Sequence, residues 1–175
     1  MSKCAWVTGA GKGIGRAAAL RLAENGWRVA ISARTESDLI SLNGMLSGYE
    51  FGIYPLDVTD EIANKQIVKK IEKEYGKIDL VVLNAGTYKP VSVSNFSPDI
   101  FRDLIETNLM GTVFGINAIL PFFLERRAGH IAIMGSVAGY RGLPTSAAYG
   151  CTKAGLINMA EALKLELEAT GIKIS

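Results

Sequence analysis

A glycine-rich stretch, Thr8-Gly9-Ala10-Gly11-Lys12-Gly13-Ile14-Gly15, stands near the start of the 175-residue chain. It follows a short apolar run at residues 5–8 and precedes an amphipathic run that begins near residue 14 and ends at Asn25-Gly26. A strand entering such a turn and a helix leaving it present free backbone N–H groups and the positive helix end to a pyrophosphate. The stretch therefore predicts dinucleotide binding, with a purely structural turn as the alternative.

The rest of the chain repeats this alternation of short apolar runs and longer amphipathic ones, which is typical of βαβ units around a parallel sheet. The further predicted strands are 28–33, 50–56, 80–84 and 130–135, with the start of a sixth at 172–175. The further predicted helices are 36–46, 60–75 with a cap at Thr59 or Asp60, 97–124 with a bend at Pro121, and 146–169. We expect one domain over residues 1–175, with a Rossmann-type α/β fold: a doubly wound parallel sheet in three α/β/α layers.

Composition excludes several classes of function. The chain has 19 Lys and Arg against 17 Asp and Glu, scattered along its length, so neither nucleic acid nor a membrane surface is an implied partner. Cys4 and Cys151 have no metal-type or redox-type spacing and are expected to be buried, while His130 is expected to be structural, so no metal site is predicted. Because we find neither a signal-type leader nor an apolar run of membrane-spanning length, the expected location is the cytoplasm.

The spacing TGxxxGxG, with Thr in front, resembles the short-chain dehydrogenase/reductase family, and further family motifs follow in the family's order over nearly the whole chain. They are Asp57-Val58, Asn84-Ala85-Gly86, Asn108 within Thr107-Asn108-Leu109, Ser136, Tyr149 thirteen residues later, and Lys153 four residues beyond that. The resemblance is to NADP(H)-type members, similar to 3-oxoacyl-acyl-carrier-protein reductases and carbonyl reductases. It implies cofactor contacts at Gly9, Lys12, Gly13, Ile14, Gly15, Arg34, Asp57, Val58, Asn84, Ala85, Gly86, Tyr149 and Lys153.

The end of the second predicted strand bears on the choice of cofactor. Dinucleotide folds commonly place a carboxylate there for the ribose 2′-hydroxyl of NAD, or an Arg nearby for the 2′-phosphate of NADP. This strand ends Ser32-Ala33-Arg34-Thr35, without a carboxylate. Arg34 and Lys12 could each be a solvated surface cation, but together, by analogy with the family, they favour NADP(H) over NAD(H).

Tyr149 and Lys153 are four residues apart, so a helix places both side chains on one face. The Lys153 ammonium and an oxidised nicotinamide would each stabilise the phenolate of the tyrosine. The resemblance implies that Tyr149 protonates the carbonyl oxygen, Lys153 holds the nicotinamide ribose, Ser136 binds the substrate oxygen, and Asn108 holds a water that relays protons to Lys153. Taken singly, these residues could instead be a turn cap, a buried polar group and an amphipathic surface pair.

The predicted function is that of an NADPH-dependent oxidoreductase that interconverts a carbonyl and a secondary alcohol. The alternative is a non-catalytic NADP(H)-binding protein or an inactive truncated fragment. The substrate is expected to be a small molecule that the sequence does not name. Its candidate contacts follow the ends of the fourth and fifth predicted strands. They are Tyr88, Lys89, Val137, Ala138, Tyr140 and Thr145.

Two expectations concern the rest of the molecule. Relatives of this family typically carry about 250 residues in one domain, so the chain is expected to lack the last strand and the substrate-loop region. The fourth and fifth predicted helices are long and rich in apolar residues, and family members usually pair through them, so a homodimer or homotetramer is expected.

Overall fold

The computed structural model describes residues 2–45, 48–49 and 51–175. Six parallel strands form one sheet in the order β3-β2-β1-β4-β5-β6. The strands are β1 (Cys4–Thr8), β2 (Arg28–Ser32), β3 (Gly52–Ile53), β4 (Ile78–Leu83), β5 (Gly129–Ile133) and β6 (Ile172–Ile174). The strand order reverses direction between β1 and β4, and ligands bind at this switch point in doubly wound sheets. The predicted Rossmann-type fold is confirmed.

In the described part of the chain, six α-helices connect or flank the strands. They are α1 (Gly13–Glu24), α2 (Glu36–Asn43), α3 (Glu61–Lys70), α4 (Pro98–Leu104), α5 (Gly111–Arg126) and α6 (Ala147–Leu167). A π-helical turn, Ile71–Tyr75, extends α3, and a second, Ile105–Met110, joins α4 to α5. The predicted fourth helix is therefore α4, a π turn and α5 in one run, with Pro121 inside α5. The predicted fifth helix is α6.

The core lies on both faces of the sheet, because β1 is buried at every residue and its side chains alternate between the two faces. Trp6 joins an apolar cluster that includes Val68 of α3, Ile119 of α5 and Leu167 of α6. Val7 joins a second cluster with Ala19 of α1 and Leu39 of α2. The helices thus form two outer layers, which accounts for the predicted three-layer arrangement.

Several element boundaries differ from the predicted ones. The strand predicted over 50–56 is assigned only at Gly52–Ile53. Two further bonds of 3.0 Å continue the ladder, from the Tyr54 N–H to the Ile31 carbonyl in β2 and from the Leu56 N–H to the Ala33 carbonyl just after β2. The predicted strand start at Glu50 and the predicted end of the second helix at Leu46 lie outside the described residues. β4 ends at Leu83, one residue before its predicted end at Asn84. The reason is that the chain turns at Asn84, whose N–H donates to the Val82 carbonyl at 3.1 Å.

The predicted helix cap at position 60 is confirmed, since the Asp60 side chain accepts a hydrogen bond from the Ala63 N–H at 2.9 Å. The prediction for the two cysteines is only half right. Cys4 is buried in β1, whereas Cys151 is exposed on α6.

Within the helical run Pro98–Arg126, an 18-residue window has a mean hydropathy of 1.4, so the run is long and apolar enough to cross a bilayer by length and composition. The prediction that no apolar segment reaches that length is wrong by this measure. One such helix is weak evidence for a membrane span, because the core helix of an α/β protein passes the same test. α5 packs in this way, with Ile116, Ile119 and Phe123 buried in the cluster around Trp6.

Candidate active site

The glycine turn between β1 and α1 packs against the segment that follows β4. Gly9 has a φ of +64°, and a Cβ there would lie 2.8 Å from the Ala85 Cα. A Cβ at Gly15 would overlap the Gly9 carbonyl and the Asn84 amide. The N-cap residue of α1, Lys12, makes no side-chain capping bond, so the first N–H groups of the helix are left for a ligand. Close backbone approach and free N–H groups are the features by which such turns hold a pyrophosphate.

Thr8 ties this turn to the segment after β4. Its hydroxyl oxygen accepts hydrogen bonds from the Asn84 N–H at 3.1 Å and the Ala85 N–H at 3.2 Å. The Asn84 amide donates in return to the carbonyls of Thr8, at 3.1 Å, and Gly9, at 3.3 Å. The sequence motif includes Thr8 but does not predict these contacts, although the position of Thr8 at the end of the central strand is an available signal.

A cleft of about 530 Å³ opens beyond these turns, at the carboxyl ends of the parallel strands. Most of the residues predicted to contact the cofactor line this cleft. These residues are Gly9, Lys12, Ile14, Arg34, Asp57, Val58, Asn84, Ala85, Gly86, Tyr149 and Lys153. Gly13 and Gly15 are not among the lining residues. The lining residues that are not predicted from the sequence are Gly11, Ala33, Asp38, Leu56, Thr87, Thr107 and Met134.

One end of the cleft carries two cations and one carboxylate. Arg34 is exposed, and its guanidinium has no hydrogen bond or ion pair within the described ranges. The Lys12 ammonium lies 3.7 Å from the Asp38 carboxylate. The end of β2 carries no carboxylate, but Asp38, in the first turn of α2, brings one to this place.

Asp57 and Val58 line the cleft on the loop that precedes α3. The Asp57 carboxylate accepts hydrogen bonds from the Thr59 N–H at 3.0 Å and the Thr59 hydroxyl at 2.8 Å, which fixes the loop. Val58 packs on Gly111, where a Cβ would come within 2.8 Å of a Val58 methyl carbon. The first turn of α5 therefore supports this wall of the cleft.

Tyr149 and Lys153 lie in the first two turns of α6 and both line the cleft. Lys153 is buried, and its ammonium donates to the Met134 carbonyl at 2.6 Å. The same ammonium lies 5.7 Å from the centre of the Tyr149 ring, and the Tyr88 ring meets that ring edge-on at 5.4 Å. Burial lowers the pKa of the Lys153 amine below its ordinary value. The phenol thus sits beside a buried ammonium, as acid–base chemistry on the phenol would require.

Ser136 lies in the turn after β5, and its hydroxyl oxygen accepts from the Ala138 N–H at 3.2 Å. This turn packs on α6, because a Cβ at Gly150 would come within 2.9 Å of the Ala138 carbonyl and one at Gly139 within 2.8 Å of the Lys153 carbonyl carbon. Ser136 therefore acts as a cap in a turn seated against the Tyr149 helix, and it is not among the residues that line the cleft.

Asn108 is fully buried in the π turn Ile105–Met110. Its side-chain amide bonds to the backbone of Thr87 and, at 3.4 Å, to the hydroxyl of Thr152. The backbone carbonyl of Asn108 accepts a hydrogen bond from the Thr112 hydroxyl at 3.0 Å. Asn108 therefore lies behind the cleft wall rather than on it, although Thr87, to which it bonds, lines the cleft.

Of the predicted substrate contacts, only Tyr88 lines this cleft. Its hydroxyl lies 2.8 Å from the Thr145 hydroxyl, and Thr145 has a φ of +60°, which is uncommon for a β-branched residue. Lys89 forms an ion pair with Asp103 at 2.6 Å. Val137 is exposed, Ala138 is buried, and Tyr140 lines a second cleft beside β5 and α6.

Comparison with known proteins agrees with this geometry. Residues 3–175 match the family model described as short chain dehydrogenase. An uncharacterized oxidoreductase of Staphylococcus aureus (strain MW2) is 32% identical over 173 residues, which is 99% of this chain and 75% of that protein.

Two solved structures share the fold. A short-chain dehydrogenase from Streptomyces avermitilis has a TM-score of 0.93 at 30% identity, over 99% of this chain and 64% of that one. A variant of actinorhodin polyketide ketoreductase with NADPH has a TM-score of 0.93 at 34% identity, over 98% of this chain and 67% of that one. This chain thus spans between 64% and 75% of the length of these proteins. It belongs to the short-chain dehydrogenase family.

Proposed function

We propose that this chain is the cofactor-binding and catalytic part of an NADPH-dependent oxidoreductase that interconverts a carbonyl and a secondary alcohol, with Tyr149 as the general acid and base. The observation that carries the proposal is that Tyr149 and Lys153 line the same cleft as the glycine turn. Membership of a family whose curated relatives are named oxidoreductases, and the NADPH in the related polyketide ketoreductase structure, support it further.

The residues of the cleft fit a nicotinamide dinucleotide. The glycine turn would receive the pyrophosphate, because the N-cap residue of α1, Lys12, makes no capping hydrogen bond and the first N–H groups of the helix remain for a ligand. Arg34 and Lys12 stand together at one end of the cleft, where a 2′-phosphate would find two cations. Asp57 and Val58 would contact the adenine end of the cofactor. Asn84, Ala85 and Gly86 would contact the cofactor from the segment that follows β4. The bound cofactor supplies or accepts a hydride.

Tyr149 would give its hydroxyl proton to the carbonyl oxygen during reduction and take it back during oxidation. The Lys153 ammonium beside the ring stabilises the phenolate that is left. Lys153 has three N–H donors, of which one is engaged by the Met134 carbonyl. The other two are available to the ribose hydroxyls of the nicotinamide half, the second role proposed for this residue.

Ser136 and Asn108 would act from beside the cleft. The Ser136 oxygen accepts a bond from the Ala138 N–H, which leaves its own proton free to be donated to the substrate oxygen. The Asn108 side chain is occupied by Thr87 and Thr152, so its backbone carbonyl is the atom we assign to a water that relays protons to Lys153. That carbonyl has a second lone pair besides the one bonded to Thr112.

The test has two stages, binding and turnover. NADPH binding is measured by fluorescence, and oxidation is then followed by absorbance with a panel of ketones and 3-oxoacyl thioesters. We expect at least one substrate to be reduced, and Tyr149→Phe to lower kcat by about 10²- to 10⁴-fold while NADPH still binds. Tyr49→Phe removes a phenol from an exposed position outside the cleft and serves as the control.

Each outcome separates the proposal from its rival. If Tyr149→Phe turns over as fast as the parent, the role given to Tyr149 is wrong. If NADPH binds but no compound of the panel oxidises it, the chain behaves as the alternative, a non-catalytic NADP(H)-binding protein or inactive fragment.

We also propose that the chain pairs with a second copy through the α4–α5 run and α6. Ile105, Leu124 and Leu165 support this, since each is a large apolar side chain that is at least 39% exposed on these helices. Light scattering at micromolar concentration should give at least twice the mass of 18.8 kDa. A monomeric mass would contradict the proposal.

A further inference from the structure

Asp38 occupies a fixed place in the wall of the cleft. It lies in the first turn of α2, and its Cβ is 3.1 Å from the position that a Cβ at Gly11 would take. The Arg16 guanidinium on α1 donates to the Asp38 backbone carbonyl and to the Ser41 hydroxyl, both at 3.1 Å. These bonds join α1 to α2, so the Asp38 carboxylate is held beside the glycine turn by the backbone rather than by its own charge.

The carboxylate shares this end of the cleft with the two cations proposed to receive a 2′-phosphate. Its oxygen is 3.7 Å from the Lys12 ammonium, and the side chains of Lys12 and Asp38 are 86% and 33% exposed. Arg34 lines the same end without an ion-pair partner among residues 2–45, 48–49 and 51–175. One of the two cations is therefore already engaged by a negative charge.

Building on the proposed function, we propose that Asp38 reduces the preference of this site for NADP(H) over NAD(H) by holding Lys12 in an ion pair. A 2′-phosphate, which carries up to two negative charges, must draw Lys12 away from Asp38 to gain its full contact with the ammonium. A 2′-hydroxyl does not meet this cost, and a carboxylate can accept its hydrogen bond. Asp38 is thus a specificity-determining residue through which the site accepts the nucleotide without a 2′-phosphate as well.

The first test removes this charge and keeps the shape of the side chain. Dissociation constants of NADPH and NADH are measured by fluorescence for the parent, for Asp38→Asn and for the control Glu36→Gln. Glu36 lies in the same helical turn but is exposed and does not line the cleft. We expect Asp38→Asn to raise the ratio of the NADH constant to the NADPH constant by about three- to tenfold, and less at high salt. Glu36→Gln should leave the ratio unchanged.

A second test asks whether Lys12 carries the effect. Lys12→Met is combined with Asp38→Asn, and the four dissociation constants for NADPH are compared as a double-mutant cycle. We expect the gain from Asp38→Asn to be largely lost when Lys12 is absent. If the gain persists in full, the carboxylate acts on the phosphate directly and the role given to the ion pair is overturned.

The outcomes also distinguish this inference from the function on which it rests. If the parent binds neither NADPH nor NADH, the proposed function fails and this inference with it. If the parent binds both but Asp38→Asn leaves the ratio unchanged, or changes it no more than Glu36→Gln does, only the inference about Asp38 fails. A thermal melt of each variant shows that it is folded, and the Arg16 bond to the Asp38 backbone survives the substitution.

Discussion

The side-chain amide of Asn108 pairs with both backbone polar groups of Thr87. Its oxygen accepts from the Thr87 N–H at 2.7 Å, and its nitrogen donates to the Thr87 carbonyl at 2.9 Å. The pair joins the π turn between α4 and α5 to the loop after β4, so a fully buried side chain fixes a residue of the cleft wall.

Asn108→Ala should therefore lower the free energy of unfolding by about 1–3 kcal/mol, because it leaves two partly buried backbone groups without partners. Denaturant unfolding measures this change. Asn117→Ala is the control, since Asn117 is an exposed asparagine on α5 whose side chain makes one hydrogen bond to the described residues, of 3.3 Å to Glu61. Equal and small changes in the two variants would show that the Thr87 bonds do not stabilise the fold.

Thr8→Val should weaken NADPH binding and lower the free energy of unfolding by about 1–3 kcal/mol. The hydroxyl that it removes accepts bonds from the Asn84 and Ala85 N–H groups, which hold the two turns of the cleft together. Thr8→Ser keeps the hydroxyl and should retain most of the binding. The prediction is wrong if the valine and serine variants bind NADPH equally well in the same fluorescence titration.

His130 should make the protein less stable in acid. Burial, together with the nearby Lys173 ammonium, lowers the pKa of His130 in the folded state below its ordinary value of 6.5. The unfolded chain then takes up a proton more readily, so this contribution to stability is complete above about pH 6.5 and is lost as the pH falls through the folded-state value. Thermal melts between about pH 8 and pH 5 should show a larger loss for the parent than for His130→Gln. Parallel curves would contradict this.

The two cysteines should differ sharply in reactivity. Burial of Cys4 raises the pKa of its thiol to about 11, whereas Cys151 is exposed on α6. A thiol reagent should therefore label one thiol of the native protein rapidly and the second only after denaturation. Cys151→Ser should abolish the rapid phase and Cys4→Ser should preserve it. Rapid labelling that survives in Cys151→Ser would show that β1 opens readily.

The sheet was predictable because hydrophobic periodicity is local. β1 and β2 are buried along almost their whole length, so they read as continuous apolar runs between turn residues. The same logic placed Tyr149 and Lys153 on one helical face, and both do line the cleft. The family's motif spacing then predicted that Asn84, Ala85 and Gly86 contact the cofactor, and all three line the cleft. Hydrophobic periodicity does not predict the position of these residues.

Relationships between distant segments were not predictable in this way. Asp38 reaches the cleft because α2 lies against α1, an arrangement to which the Arg16 bonds contribute, and strand-end residues alone do not contain that information. Cys151 sits in an apolar segment, yet the direction in which α6 packs leaves it exposed. Asn108 finds its partner 21 residues earlier in the chain, through a π turn that residue propensities do not foretell.

The hydrogen bonds between Thr8 and Asn84 join positions 76 residues apart. Contacts of such long range form after the chain has met the entropic cost of closing the intervening loop. A nascent chain that has emerged from the ribosome only as far as α2 would carry the whole glycine motif and still lack the wall on which the turn rests. The capacity to hold a nucleotide therefore requires that β4 has been made and has paired with β1, so nucleotide capture by a newly made chain would report that its central strands are already in register.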